Sequence, residues 1–442
     1  MHGPLQSPGR ETSANGHERT TIMVSFRKSL FAGLAISGLV LAGCSSDDGG
    51  DGAAGNAAAN EGQDARGPIT FAMGKNDIEK VQKIAERWNE ENPEEEVTVH
   101  ELAGDANGQR ETLVQSLEAS SGEFDVMALD LPWTAEFAAN GYLVPLTEQM
   151  EVDTSGLLQP AVESATYNGT LYAVPQNTNG QLLYRNTELI PEAPENWDAL
   201  RASCEPLPED KGCLTLQLSQ YEGLTLNTLD AIHAWGGSLI DDEGNVTVDT
   251  PEAKAGLQAL VDAYGDGTIT KESTGATEEE TMQAFTNEQS AYAVNWPYMF
   301  DAADETPVAG KFEVTPLVGP DGMGVSTLGG YNNGINAHSE NKATARDFIE
   351  FVISEESQMG FAEESFPPVL ASIYDDEALV EKFPYLPALK ESLENAKPRP
   401  VSPYYEAMSK GVQDNAYAAI NGSKDVDTAI ADMKAALEQA SK

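Results

Sequence analysis

Basic residues are scarce in this chain: 26 Lys and Arg stand against 72 Asp and Glu, a formal charge of −46. Such a field repels phosphate backbones and anionic headgroups, so nucleic-acid binding and charge-driven membrane docking are excluded. The acid is spread along the whole length, as in a solvated shell; a high-salt habitat and a plain composition bias account for it equally, and neither names a ligand. Histidine is also rare. Of five, His2 and His17 precede the first apolar run, and His100, His233 and His338 are far apart without metal-ligand spacing, so no metal site is expected. No Gly-x-Ser-x-Gly elbow, Walker loop or dinucleotide fingerprint occurs, so the usual nucleophilic, phosphoryl and hydride chemistries have no visible apparatus and no cofactor is implied. A glycosidase needs only two carboxylates, which can lie anywhere in sequence, and stays open.

Long apolar runs are missing as well. Arg27 and Lys28 precede an apolar stretch from Leu30 to Leu41, too short to span a bilayer but suited to an export signal. Residues 1–43 are therefore read as a signal peptide; nothing before Met23 has an apolar pattern, so translation starting at Met23 fits equally. Leu41-Ala42-Gly43-Cys44 resembles the bacterial lipobox, which implies acylation of Cys44 and a membrane anchor. Residues 44–67 are Gly-, Ala-, Asp- and Asn-rich with no apolar period, a flexible tether reaching roughly 25 Å. Only three cysteines occur. With Cys44 acylated, an oxidising exterior favours a Cys204–Cys213 disulfide, contributing about 2 to 3 kcal/mol on the chain-entropy model.

With 442 residues the chain is expected to divide into two compact units. Ile69–Met73, Val97–Leu102 and Phe124–Leu129 read as strands, separated by segments whose apolar residues recur at helical spacing, such as Ile78, Val81, Ile84, Ala85 and Trp88. That β-α-β-α-β order predicts a parallel sheet. Ligands in such sheets bind beyond the carboxyl ends of the strands, where Asn76, Gln109 and Asp130 stand. Each alone suits a cap or turn better; together they make a polar rim. Asp130 is expected to offer its carboxylate to hydrogen-bond donors of a ligand, on a cleft that supports little core. Gln176-Asn177-Thr178-Asn179-Gly180 is a polar stretch suited to crossing between units.

Aromatic rings interleaved with acidic and amide side chains suit carbohydrates, whose C–H faces stack on rings and whose hydroxyls pair with polar groups. Phe124-Asp125-Val126 through Asp130, Gly141-Tyr142-Leu143-Val144-Pro145-Leu146, Tyr172-Ala173-Val174-Pro175, Leu182-Leu183-Tyr184-Arg185, Tyr221-Glu222-Gly223-Leu224, Asn295-Trp296-Pro297-Tyr298, Gly329-Gly330 and Arg399-Pro400-Val401-Ser402-Pro403-Tyr404-Tyr405 stand in a specific order. In that order the chain resembles the extracellular sugar-binding lipoproteins of ABC importers, in their trehalose- and maltose-binding branch of actinobacteria.

The resemblance implies an α/β, two-lobed periplasmic-binding-protein-like fold with a cleft between lobes joined by crossing segments. Lobe 1 would comprise 68–175 and 322–368, and lobe 2 would comprise 176–321 and 369–442. It implies a cleft formed by Asn76, Gln109, Asp130, Asn179, Glu222, Trp296, Tyr298, Gly329, Gly330 and Arg399. Asn179 stands where relatives often carry aspartate, and Trp296, Tyr298, Glu222 and Arg399 each also suit core or surface roles. The implied protein is not an enzyme. It is a monomer on the extracellular face of the cell membrane, passing a di- or oligosaccharide to ABC importer transmembrane subunits. A secreted glycosidase, or a surface lipoprotein without a small ligand, is the alternative.

Overall fold

The computed structural model describes residues 58–241 and 245–441. The expected signal peptide, Cys44 and most of the expected tether lie outside these residues. Residues 58–67, read as free tether, instead belong to the folded body. Ala59 is buried; Arg66 pairs with Glu95 at 2.8 Å and with Asp347; the Lys342 ammonium donates to the Glu61 carbonyl at 2.8 Å. Composition could not reveal this, because the segment is held by one guanidinium and by backbone groups rather than by an apolar stripe.

The first strands are β1 (Ile69–Gly74), β2 (Val97–Leu102) and β3 (Val126–Asp130), joined by helices Ile78–Glu91 and Ala106–Glu118. β1 pairs in parallel with both neighbours. Helix Ile78–Glu91 buries Ile78, Val81, Ile84, Ala85 and Trp88, the stripe its sequence period predicts. Next come β4 (Ala173–Asn179), β5 (Leu182–Asn186), β6 (Gly212–Thr215), β7 (Ser290–Asn295), β8 (Phe312–Thr315) and β9 (Gly329–Ile335). One sheet runs β2-β1-β3-β9-β4, with β9 antiparallel to both neighbours; the other runs β8-β5-β7-β6, with only β6 and β7 parallel.

Each sheet carries its own core, which makes the fold a two-lobed α/β architecture. On the first, Phe348 meets Phe71 and Trp88 edge to face at 5.7 Å. On the second, Leu214 and Tyr292 pack under helices Glu222–Ala234 and Pro251–Asp266 through Leu229, Ile232 and Leu257. Cys204 and Cys213 form a disulfide in this lobe, their Cα atoms 5.6 Å apart. Among the described residues no helix is long and apolar enough to cross a membrane.

The polar stretch from Gln176 is strand through Asn179. β4 continues through Asn179, pairing with Tyr331, Gly330 and Gly329 of β9. Gln176 and Asn177 are fully buried there, and Asn177 Oδ1 accepts from the Tyr331 amide at 3.1 Å. Backbone pairing satisfies what a polar sequence would otherwise leave to solvent. Gly330 permits the close approach: its φ is 128°, and a Cβ there would lie 2.4 Å from the Asn177 carbonyl oxygen.

Candidate functional site

Between the two sheets lies a cleft enclosing about 680 Å³ of empty space, its open mouth included. Its first wall is built from the carboxyl ends of β1, β2 and β3. Asn76 sits in the turn after β1 and donates to the Gly104 carbonyl at 3.0 Å. Gln109, in the first turn of its helix, is buried over Gly74, where a Cβ would come within 2.4 Å of the amide nitrogen. Asp130 is the last residue of β3. Asn179, Gly329 and Gly330 come from the paired crossing strands, while Glu222, Trp296, Tyr298 and Arg399 come from the second lobe and the C-terminal segment. All ten residues that the sequence singled out thus line one cavity.

Asp130 behaves differently from the expectation of a free carboxylate. It does not cap the helix Trp133–Ala139, whose N-cap is Pro132 without side-chain bonding. Both its oxygens accept from Arg399, with Nη1 to Oδ2 at 2.6 Å and Nη2 to Oδ1. Arg399 Nη1 also donates to Glu222 at 2.9 Å. Glu222 accepts in addition from the Tyr405 hydroxyl and, at 2.6 Å, from the Ser409 hydroxyl. One cation between Pro398 and Pro400 therefore ties the end of a first-lobe strand to the first residue of a second-lobe helix. Burial raises the Glu222 pKa, with Arg399 opposing and Asp130 adding to the rise. Burial works against the Arg399 charge, yet Asp130 and Glu222 hold it well above the ordinary range.

The aromatic side is fixed by Asn295, at the end of β7. Its amide donates to the Glu278 carbonyl at 3.0 Å and to Thr281 at 2.9 Å, while its oxygen accepts from the Trp296 amide at 2.8 Å. The Tyr184 hydroxyl donates to the Trp296 carbonyl at 2.9 Å. The turn so held lays the indole over Gly329, where a Cβ would lie 2.7 Å from the ring. Lys80 pairs with Asp77 at 2.8 Å and stands 5.7 Å from the centre of the Tyr298 ring.

The sequence reading missed Asp77, Tyr221, Glu278 and Tyr331, which line the same cavity. Glu278 begins the helix Glu278–Thr286 behind a capping box of Thr277 and Glu280, and burial raises its pKa. It stands first in the run Glu278-Glu279-Glu280, which reads as a solvated face; the Thr-x-x-Glu start signal was the available clue. Rings over glycine, with carboxylates and amides at the rim, provide surfaces for apolar faces and for hydroxyl edges in one enclosed space. Two lobes with such a cleft between them define a solute-binding protein.

Comparison with known proteins agrees. Residues 74–359 match the family model of the bacterial extracellular solute-binding protein, and the chain belongs to that family. A probable ABC transporter-binding protein of Deinococcus radiodurans is 30% identical over 307 residues, 65% of this chain and 72% of that one. The maltose-bound T. maritima MalE3 structure superposes with a TM-score of 0.78 at 30% identity, covering 84% of this chain and 99% of that one. The GacH receptor of Streptomyces glaucescens, at 24% identity and a TM-score of 0.77 over 85% and 98% of the two chains, shares the fold. The chain is accordingly a binding protein and not an enzyme, which sets the glycosidase reading aside.

Proposed function

We propose that the chain is the sugar-binding component of an ABC importer, holding a di- or oligosaccharide of the trehalose or maltose type in the interlobe cleft. The observation that carries this reading is the convergence of Trp296, Tyr298 and Tyr331 with Gln109, Asn179 and Glu278 on one cavity. The similarity to the maltose-bound MalE3 structure supports it. In this reading residues 1–43 are an export signal, Cys44 carries the lipid anchor, and a monomer on the extracellular face delivers sugar to the importer's transmembrane subunits. The trehalose- and maltose-binding branch of actinobacteria is the proposed origin. The lobes would divide near the sequence-based limits, 68–175 with 322–368 and 176–321 with 369–442, the first crossing shifted to follow Asn179.

A melting screen against trehalose, maltose and longer α-glucosides tests the proposal. A bound sugar at one hundred times its dissociation constant stabilises by about 2.7 kcal/mol, a clear rise in Tm. Unchanged melting with every sugar would instead favour a surface lipoprotein without a small ligand.

A further inference from the structure

A second cavity lies within the second lobe, enclosing about 540 Å³ with its mouth and sharing no lining residue with the cleft. Leu183, Leu214, Leu216, Leu260, Val294 and Leu317 give it an aliphatic wall. Trp197 and Trp235 also line it and meet edge to face, their ring centres 6.0 Å apart. Two lining residues hold buried polar atoms without a hydrogen-bond partner among the described residues: the Trp197 indole N–H and one carboxylate oxygen of Asp230. Asp230 is only 8% exposed, and its other oxygen accepts from the Thr327 amide at 2.6 Å.

Orphaned buried groups of this kind are rare in native proteins and call for a partner. The indole N–H is a donor, and the carboxylate oxygen is an acceptor wherever Asp230 is ionised, the condition under which the site is tested. A hydrocarbon would satisfy neither, and an ammonium group would leave the indole unmatched, whereas a hydroxyl can accept from the one and donate to the other. We propose that this cavity is a second binding site, for a small apolar molecule bearing a hydroxyl group, about the size of benzyl alcohol. Thr327, whose amide holds Asp230, lies two residues before Gly329 of the cleft, and Val325 lines the second cavity; through this short segment the proposal also couples the site to the sugar cleft. The linkage half rests on the sugar-binding reading; the site itself does not.

Calorimetry and saturation-transfer NMR on the whole chain, without sugar, test the site with benzyl alcohol, toluene and benzylamine. Benzyl alcohol is expected to bind saturably and at least about tenfold more tightly than either analogue, which corresponds to about 1.4 kcal/mol. Asp230→Leu removes the acceptor and should abolish that preference. Should this buried change prevent folding, Val325→Trp, at a partly exposed wall position, fills the cavity and should abolish binding at native melting temperature. No saturable alcohol binding, equal affinity for toluene, tighter binding of benzylamine, or unaltered binding in Val325→Trp would overturn the site. A sugar affinity unchanged at saturating alcohol would overturn the linkage.

Discussion

Arg399 keeps its charge in a side chain only 2% exposed, facing two carboxylates. Removing one partner of a buried pair leaves uncompensated charge, a loss of about 3 to 5 kcal/mol. Arg399→Ala should therefore lower unfolding free energy by that amount in a urea titration; a loss below about 1 kcal/mol would mean the network relaxes into solvent. For the same reason, Asp130→Ala is expected to reduce stability as well as sugar affinity. Its place at a strand end was legible in the sequence, while its pairing across 269 residues was not, since no local pattern encodes a contact of that separation. Gly329 offers a cleaner test of the cleft. A Cβ there would stand 2.7 Å from the Trp296 ring, and its backbone avoids the left-handed region, so Gly329→Ala should displace the indole without backbone strain. Sugar affinity is expected to fall about tenfold, close to 1.4 kcal/mol, with melting nearly unchanged.

Helix Glu222–Ala234 carries three buried titrating groups, Glu222, Asp230 and His233. Burial pushes Asp230 up to about 7, with the Thr327 bonds and Arg399 opposing, while burial and Lys397 bring His233 down to about 4. A raised carboxyl contributes fully below its unfolded pKa near 3.8 and loses that contribution as pH rises to about 7, at about 1.4 kcal/mol per pH unit. A depressed imidazole has the opposite slope: stability is lost as pH falls from 6.5 toward 4. The two offset one another between 4 and 6.5. Asp230→Asn should therefore expose stability rising with pH across that window, and His233→Gln should expose stability falling from 4 to 7, both read from urea midpoints. Parallel curves for the wild type and both variants would contradict these assignments. Elements with a clear period were readable: the helix from Ile78 and the three parallel strands stand close to where their apolar spacing places them. The polar end of β4, from Gln176 to Asn179, was not, because its buried amides lack a strand's apolar pattern and their partners come from β9, more than a hundred residues later. The packing of residues 58–67 was hidden by the same kind of long-range capture.

At the scale of the whole molecule, two sheets with separate cores meet at a cleft where strand ends, crossing glycines and the C-terminal Arg399 converge. The strand-end rule pointed to Asn76, Gln109 and Asp130, and the family resemblance carried by the order of the aromatic and proline-bounded segments supplied the other seven of the ten lining residues. Of the four missed residues, Glu278 carried a helix-start signal behind Thr277 and Tyr221 stood beside Glu222, while Asp77 and Tyr331 carried no signal of their own. The net charge of −46 bears on solubility and not on the choice of ligand. The account stands or falls on whether sugar binds in that cleft. Calorimetric titration of the wild type and Trp296→Ala with maltose and trehalose decides it: one saturable site per chain, weakened at least about tenfold by loss of the stacked ring at unchanged melting temperature, is the predicted result. Saturable sugar binding with the same affinity in Trp296→Ala would place the sugar elsewhere and contradict the account.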